Sequence, residues 1–238
     1  MSSPFFKRLA RAAANRYEPG DRFARHFAIG KLTGDPVFEH VLHAGLLPPT
    51  GSILDLGCGQ GVLEALLLSA REVEMKGEWA EGWPPPPQPR AMRGIDLVER
   101  DVNRARAAVD NRAQFIVGDI RDVDFGRADA VVILDVLLYI DFDEQAQVLK
   151  RVKNALHEGG VLLLRVANLS TDWRYRYTTA IDRIVMTLRG HRLPRLWNRT
   201  IAEWLHLLES LGFTVDAAPM SHGTLFANVL LVARYHPR

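Results

Sequence analysis

ILDLGCGQG, residues 53–61, is the stretch that decides the architecture of this 238-residue chain. Ile53, Leu54 and Leu56 surround Asp55 on a segment opened by Thr50-Gly51, the pattern of a parallel strand buried on both faces. Gly57, Gly59 and Gly61 then let the backbone turn at positive φ and approach a ligand that any Cβ would push away. Leucines at helical spacing predict a helix over about 62–71, whose N-terminal amides and positive dipole end face whatever lies over the glycines. A dinucleotide fingerprint, G-x-G-x-x-G, requires glycine where Val62 stands.

Four more strands follow in order. RGIDLVERDV ends a second strand on Asp96, with Glu99 close behind; a carboxylate there can accept two hydrogen bonds from a ribose diol. AQFIVGDIRD gives a third, ending at Gly118, Asp119 and Ile120. ADAVVILDVLLYI gives a fourth over 130–135, whose end carries Asp135, Val136 and Tyr139, and GGVLLLRVAN a fifth over 159–168, containing Arg165. All place polar groups at carboxyl ends of strands, where open α/β sheets bind ligands. Near the C-terminus TIAEWLHLLESLGF reads as a helix with a Thr200–Glu203 capping box, and FTVDAAPM and NVLLVARY read as two closing strands.

In this order the segments resemble class I S-adenosylmethionine-dependent methyltransferases, whose first motif, D/E-x-G-x-G-x-G, is matched from Asp55 to Gly61. The resemblance covers about residues 35–168 and resumes at the closing hairpin. It implies an α/β, Rossmann-like, mostly parallel seven-stranded sheet with helices on both faces and an antiparallel C-terminal strand. A single domain over 1–238 is expected, with helical lid segments at 1–34 and 169–199 and a Pro-rich loop insertion at 69–92. The implied cofactor is S-adenosylmethionine. Asp55, Gly57, Gly59 and Gly61 would hold its methionine end, with Lys31 meeting the carboxylate; Asp96 would hold the ribose, Asp119 and Ile120 the adenine.

On the acceptor side stand Asp135, also a candidate cofactor contact, and Tyr139, where the fourth strand opens toward the transferred methyl, although the family often has histidine at the place of Leu138. Arg165 has two readings, an anchor for a substrate carboxylate or a structural ion-pair partner. His26, His191 and His222 are candidate bases, but a lone histidine is more often a surface or satisfied core residue. FARHFAIGKLTGDPVF, the loop GWPPPP and the ending SHGTLFANVLLVAR are similar to methyltransferases of bacterial aryl-polyene pigment biosynthesis. That implies a phenolic or polyene acyl acceptor, free or carrier-bound, methylated at oxygen or carbon.

Composition narrows the chemistry. Cys58 is the one cysteine, so no intramolecular disulfide forms and a reducing, cytoplasmic setting is expected. Its place in the glycine loop leaves no separate thiol to attack cytosine C5, and no D/N-P-P-F/Y run follows the fourth strand for exocyclic base amines. The eight histidines are scattered, with no metal-ligand spacing. No signal peptide is read at the N-terminus, and Asp135 and Arg165 interrupt the two longest apolar runs.

Charge is uneven although the net is +2. Residues 1–31 carry seven basic against two acidic side chains, and residues 173–199 seven against one, both mixed with aromatics. The resemblance places both over the substrate, as a basic, aromatic lid for an anionic, aromatic or acyl acceptor. Solvated helical faces, RNA phosphate contact and a membrane-lying helix are the competing readings of these segments. For the whole chain, the alternatives are an RNA methyltransferase, a nucleotide-dependent oxidoreductase on a related sheet, or a cofactor binder without turnover. Finally, Asp96 follows Asp55 by 41 positions, about twice a usual βαβ step; the excess, around 69–90, includes EGWPPPPQP, which reads as a stiff surface loop.

Overall fold

The computed structural model describes residues 2–17, 21–167, 196–220 and 228–236. Three helices lead into the sheet: α1 (Pro4–Asn15), α2 (Arg22–Gly34) and α3 (Pro36–His43). There follow β1 (Ser52–Leu56), α4 (Val62–Met75), β2 (Ala91–Asp96), α5 (Glu99–Val109), β3 (Gln114–Val117) and β4 (Ala128–Leu134). Then come α6 (Phe142–Ala155), β5 (Leu156–Ala167), α7 (Ile201–Ser210), β6 (Phe213–Pro219) and β7 (Asn228–Tyr235).

The sheet runs β3-β2-β1-β4-β5-β7-β6. β1 pairs in parallel with both β2 and β4, Leu54 lying between Arg93 and Val131. β7 is antiparallel to both β5 and β6, so it is the one reversed strand of the seven. The chain therefore winds outward from β1 in one direction and returns to build the other half from β4. The crevice beyond the carboxyl ends of β1 and β4 is the topological switch point, where such sheets take ligands.

Alternation along the strands splits the core into two layers. Ile53, Ala130, Val132, Val161 and Leu163 face α1–α5; Leu54, Leu56, Val131, Ile133, Leu162 and Leu164 face α6 and α7. Asp55 is in phase with Ile53, and Arg165 with Leu163, so both side chains belong to the first layer. α4 is buried on every side from Val62 to Ala70, because α1 covers the face turned away from the sheet. That cover consists of Phe6, Leu9, Ala10, Ala13 and Ala14.

Local chemistry sets the helix ends. Ser3, Asp21 and Asp35 cap α1, α2 and α3, with proline opening α1 and α3. Asp141–Glu144 and Thr200–Glu203 form capping boxes on α6 and α7. The extra length between β1 and β2 is partly helix: α4 continues to Met75, beyond the expected end, and the loop proper spans 76–90. That loop is anchored to the body. Trp79 and Trp83 meet Phe5 edge-on at 5.1 Å each, Trp79 Nε1 donates to the Pro84 carbonyl at 2.9 Å, and Pro86 and Pro87 are buried.

Candidate cofactor and acceptor site

Close ligand approach is the sequence expectation for all three motif glycines; the structure divides the roles. All three have positive φ, +84° at Gly57, +53° at Gly59 and +70° at Gly61. A Cβ on Gly57 would run into the Val136 side chain, and one on Gly61 would lie 2.8 Å from Ala105 Cβ and 3.0 Å from Phe115. Those two glycines are required by packing. A Cβ on Gly59 would meet nothing within 4 Å, so Gly59 is where the loop opens onto free space.

The loop is tied down from three sides. The amides of Gly57 and Cys58 donate to the Ile95 carbonyl at 2.7 and 3.1 Å, and the Gly59 amide donates to Asp96 Oδ2 at 2.9 Å. From the helical layer the Tyr17 hydroxyl donates to the Gln60 carbonyl at 2.7 Å. Asp96, at the end of β2, accepts from Val98 as well, at 2.8 Å on its other oxygen. A carboxylate offers about four lone-pair directions, so acceptor capacity remains for a diol. Leu97 and Val98 stand exposed beside it.

Asp55 is buried at the end of β1, and burial, then the acids Glu64 and Asp96, push its carboxyl well above the usual range. Asp119 follows β3, where its carboxylate is held by Arg121 at 2.6 Å, and Arg121 also reaches Glu144 at 2.7 Å. Those bonds from Arg121 hold Asp119 below the usual carboxylate range. Ile120 beside it is buried, an apolar wall. Cys58 is buried, and burial with the surrounding carboxylates pushes its thiol far up, leaving it a packing group.

Beyond β4 a different group of charges gathers. Asp135 has φ +61°, a conformation that side-chain-bearing residues rarely adopt. Both of its oxygens accept from Arg165, and Arg165 also donates to both oxygens of Asp35, the cap of α3. Lys31 lies 2.9 Å from Asp35 and 3.6 Å from Asp135. Burial opposes charge on Arg165, but the two carboxylates hold the guanidinium protonated. Its side chain is 1% exposed. Of the two sequence readings of Arg165, the ion pair is the one this geometry supports; the anchoring of a substrate carboxylate finds no free donor face. Lys31 is one-third exposed at the edge of the same network. Asp35, the cap of α3, is the partner that sequence reasoning missed.

Tyr139 and Phe142 stand exposed past the end of β4, and Phe23 and Phe27 on α2. Phe27 precedes Lys31 by one helical turn, so they share a face. His26 is exposed on α2, with Nδ1 at 2.7 Å from the Arg22 carbonyl. His191, His222 and residues 169–195 of the expected second lid lie outside the described residues. The end of that segment is bound to the body: Arg199 donates to Gln145 and to the Phe142 carbonyl, at 2.8 and 2.7 Å. Among the described residues no group of His, Cys, Asp or Glu could hold a metal ion, and no helix is long and apolar enough to cross a membrane.

A glycine loop opening at the switch point, a carboxylate ending β2 and a seven-stranded sheet with β7 reversed define a class I, Rossmann-like methyltransferase domain. The chain belongs to the methyltransferase-domain family, whose model matches residues 24–218. S-adenosylmethionine is the cofactor expected of such a domain, and the open space over Gly59 beside Asp96 fits it. A carboxy-S-adenosyl-L-methionine synthase of Chromohalobacter salexigens is 32% identical over 117 residues, 47% of this chain and 38% of that one. Its counterpart in Campylobacter curvus is 26% identical over 158 residues, 65% and 60% of the two chains. The chain thus spans between about two fifths and three fifths of these curated relatives. Magnesium protoporphyrin IX methyltransferase from Synechocystis PCC 6803 superposes with a TM-score of 0.59 at 19% identity, over 93% of this chain and 91% of that one. An O-methyltransferase family protein from Burkholderia thailandensis superposes at 0.62 and 16% identity, over 95% and 64%. These two likenesses bear on the fold.

Proposed function

We propose that the chain transfers a methyl group from S-adenosylmethionine to oxygen or carbon of a small aromatic, phenolic or acyl acceptor, free or carrier-bound, in the cytoplasm. The observation that carries this reading is the opening at Gly59, which lies beside Asp96 at the switch point between β1 and β4. The bound sulfonium supplies an already activated methyl carbon. The chain's own residues are left to align the acceptor and exclude water.

In this reading the Gly59 backbone and Asp55 hold the methionine end, Lys31 meets its carboxylate, and Asp96 takes the ribose hydroxyls. Asp119 and Ile120 border the adenine. Asp135 is a positioning group, because Arg165 already occupies both of its oxygens. Tyr139, exposed past β4, is the candidate acceptor contact, with Phe27 a second aromatic wall. A small acceptor rather than RNA is supported by the commitments of three arginines: Arg16 to Ser69 and Glu72, Arg104 to Asp21, and Arg199 to Gln145.

A second reading, chemistry on the cofactor itself, is favoured by the names of the curated relatives, carboxy-S-adenosyl-L-methionine synthases. Calorimetric titration with S-adenosylmethionine, S-adenosylhomocysteine and NADH tests the class: micromolar binding of the first two and none of the third is expected. Preference for NADH would overturn the reading. Mass spectrometry of the recovered cofactor after incubation with phenolic methyl acceptors or with carboxylic-acid donors separates methyl loss from carboxylation.

A further inference from the structure

Beneath the glycine loop lies a set of acids with no cationic partner among the described residues. Glu64, in the first turn of α4, is 2% exposed and its Oε2 has no hydrogen-bond partner. Asp55 lies in the same layer at 5% exposure, and Asp96 acts on it from β2. Independently, Gln60 within the loop is 4% exposed and its Oε1 is also unpartnered. The neighbouring cations are spoken for. Arg16 binds Ser69 and Glu72, and Arg104 binds Asp21 and Asp101. This differs from the end of β4, where two cations face two carboxylates. A buried carboxylate without a partner keeps its proton until a cation arrives.

Resting on the cofactor reading above, we propose that Glu64 is a positioning residue: buried and unpartnered, it keeps its proton while the site is empty, and that proton leaves when the ammonium of the cofactor's methionine end settles over Gly59. The proton passes to solvent. Glu64 goes from neutral to negative as the ligand brings its positive charge, so the net charge of the site is the same empty and loaded. Glu64 touches no ligand and sets the pH range over which the loop accepts one.

The direction follows from the groups around it. Burial pushes Glu64 up to about 7, so below that pH the proton is retained and opposes the ammonium. Affinity therefore rises with pH toward neutrality and levels off above it. Tyr17 and Cys58 also face Glu64, but burial pushes both far up, and they stay neutral throughout. Asp96 and Asp101 border the loop from β2 and α5, and Arg16, from the end of α1, reaches α4 at Ser69 and Glu72. The ligand's own α-amino group, next to its carboxylate, keeps its proton across the range tested, and equally so in any variant.

The test is calorimetric titration of the full chain with S-adenosylhomocysteine between pH 6 and 7.5, beside Glu64→Gln. One linked proton makes wild-type binding about eightfold tighter at the higher pH, and the variant changes less than about twofold. In the wild type alone, titration at pH 7 in two buffers of different ionisation enthalpy reads the released proton directly, which keeps the test independent of how the variant folds. Binding with no proton released, or a pH slope unchanged in Glu64→Gln, overturns the proposal and leaves the cofactor reading intact. Absence of binding at every pH overturns both.

Discussion

Asp96 illustrates how one side chain can hold a loop and still keep acceptor capacity for a ligand. Its two oxygens accept the amides of Gly59 and Val98 at the end of β2, where the proposed reading puts the ribose diol. Asp96→Ala removes charge-assisted bonds to the ligand and releases the amide that orients the loop's opening. We expect cofactor binding to weaken by about 1–3 kcal/mol, with circular dichroism unchanged. Calorimetry checks it, and wild-type affinity would remove Asp96 from the ribose site. At this scale the motif carboxylates were legible because strand ends advertise themselves in sequence. The division among the glycines was not: Gly57 is fixed by Val136, far away in the chain, and only the fold brings that methyl against it. Glu64 was equally silent, an acid inside a leucine-rich helix that any amphipathic reading sends to solvent. It is buried because α1 closes the face that α4 would otherwise expose.

Among elements, the junction of α2 and α3 is joined to the ends of β4 and β5 by charge. Arg165 rises from β5 between Asp35 and Asp135, with Lys31 completing the set. Arg165→Met keeps the volume but leaves two carboxylates facing one lysine, with Asp35 largely buried. Breaking such a pair from one side costs about 3–5 kcal/mol, and we expect a matching fall in the urea midpoint. Arg165→Lys would recover little, since an ammonium cannot span two carboxylates in bidentate fashion. A stable variant with a raised acceptor KM would instead restore Arg165 as an acceptor anchor. The order of the elements was legible because each strand has a local apolar signature and a Thr200–Glu203 capping box marks the start of α7. Which acid Arg165 would choose was not, because Asp35 is 130 positions away and helix capping already explained it.

For the whole molecule, the question is whether the N-terminal helices form a cover over the site or part of the body. Charge and aromatic content suggested a cover, since Lys7, Arg8 and Arg11 line one face of α1 and Phe23 and Phe27 one face of α2. Packing divides the pair. α1 sends Phe6, Leu9, Ala10, Ala13 and Ala14 into the same layer as the sheet, and Arg16 and Tyr17 fasten its end to α4 and the glycine loop. α2 keeps Phe23 and Phe27 exposed while Lys31 reaches the end of β4. Deleting residues 2–17 should therefore act on stability before it acts on substrate. Phe6 and Leu9 alone contribute about 1.5–3 kcal/mol each, which lowers Tm by on the order of 10 °C in a chain of this size. The uncovered outer face of α4 should also bind a hydrophobic dye and promote association. Calorimetric melting and light scattering of the truncated chain check this. An unchanged Tm with only a raised acceptor KM would mean that α1 is a cover after all. Phe27→Ala on α2 has the opposite signature: an exposed ring contributes little to Tm, so its expected effect falls on acceptor KM.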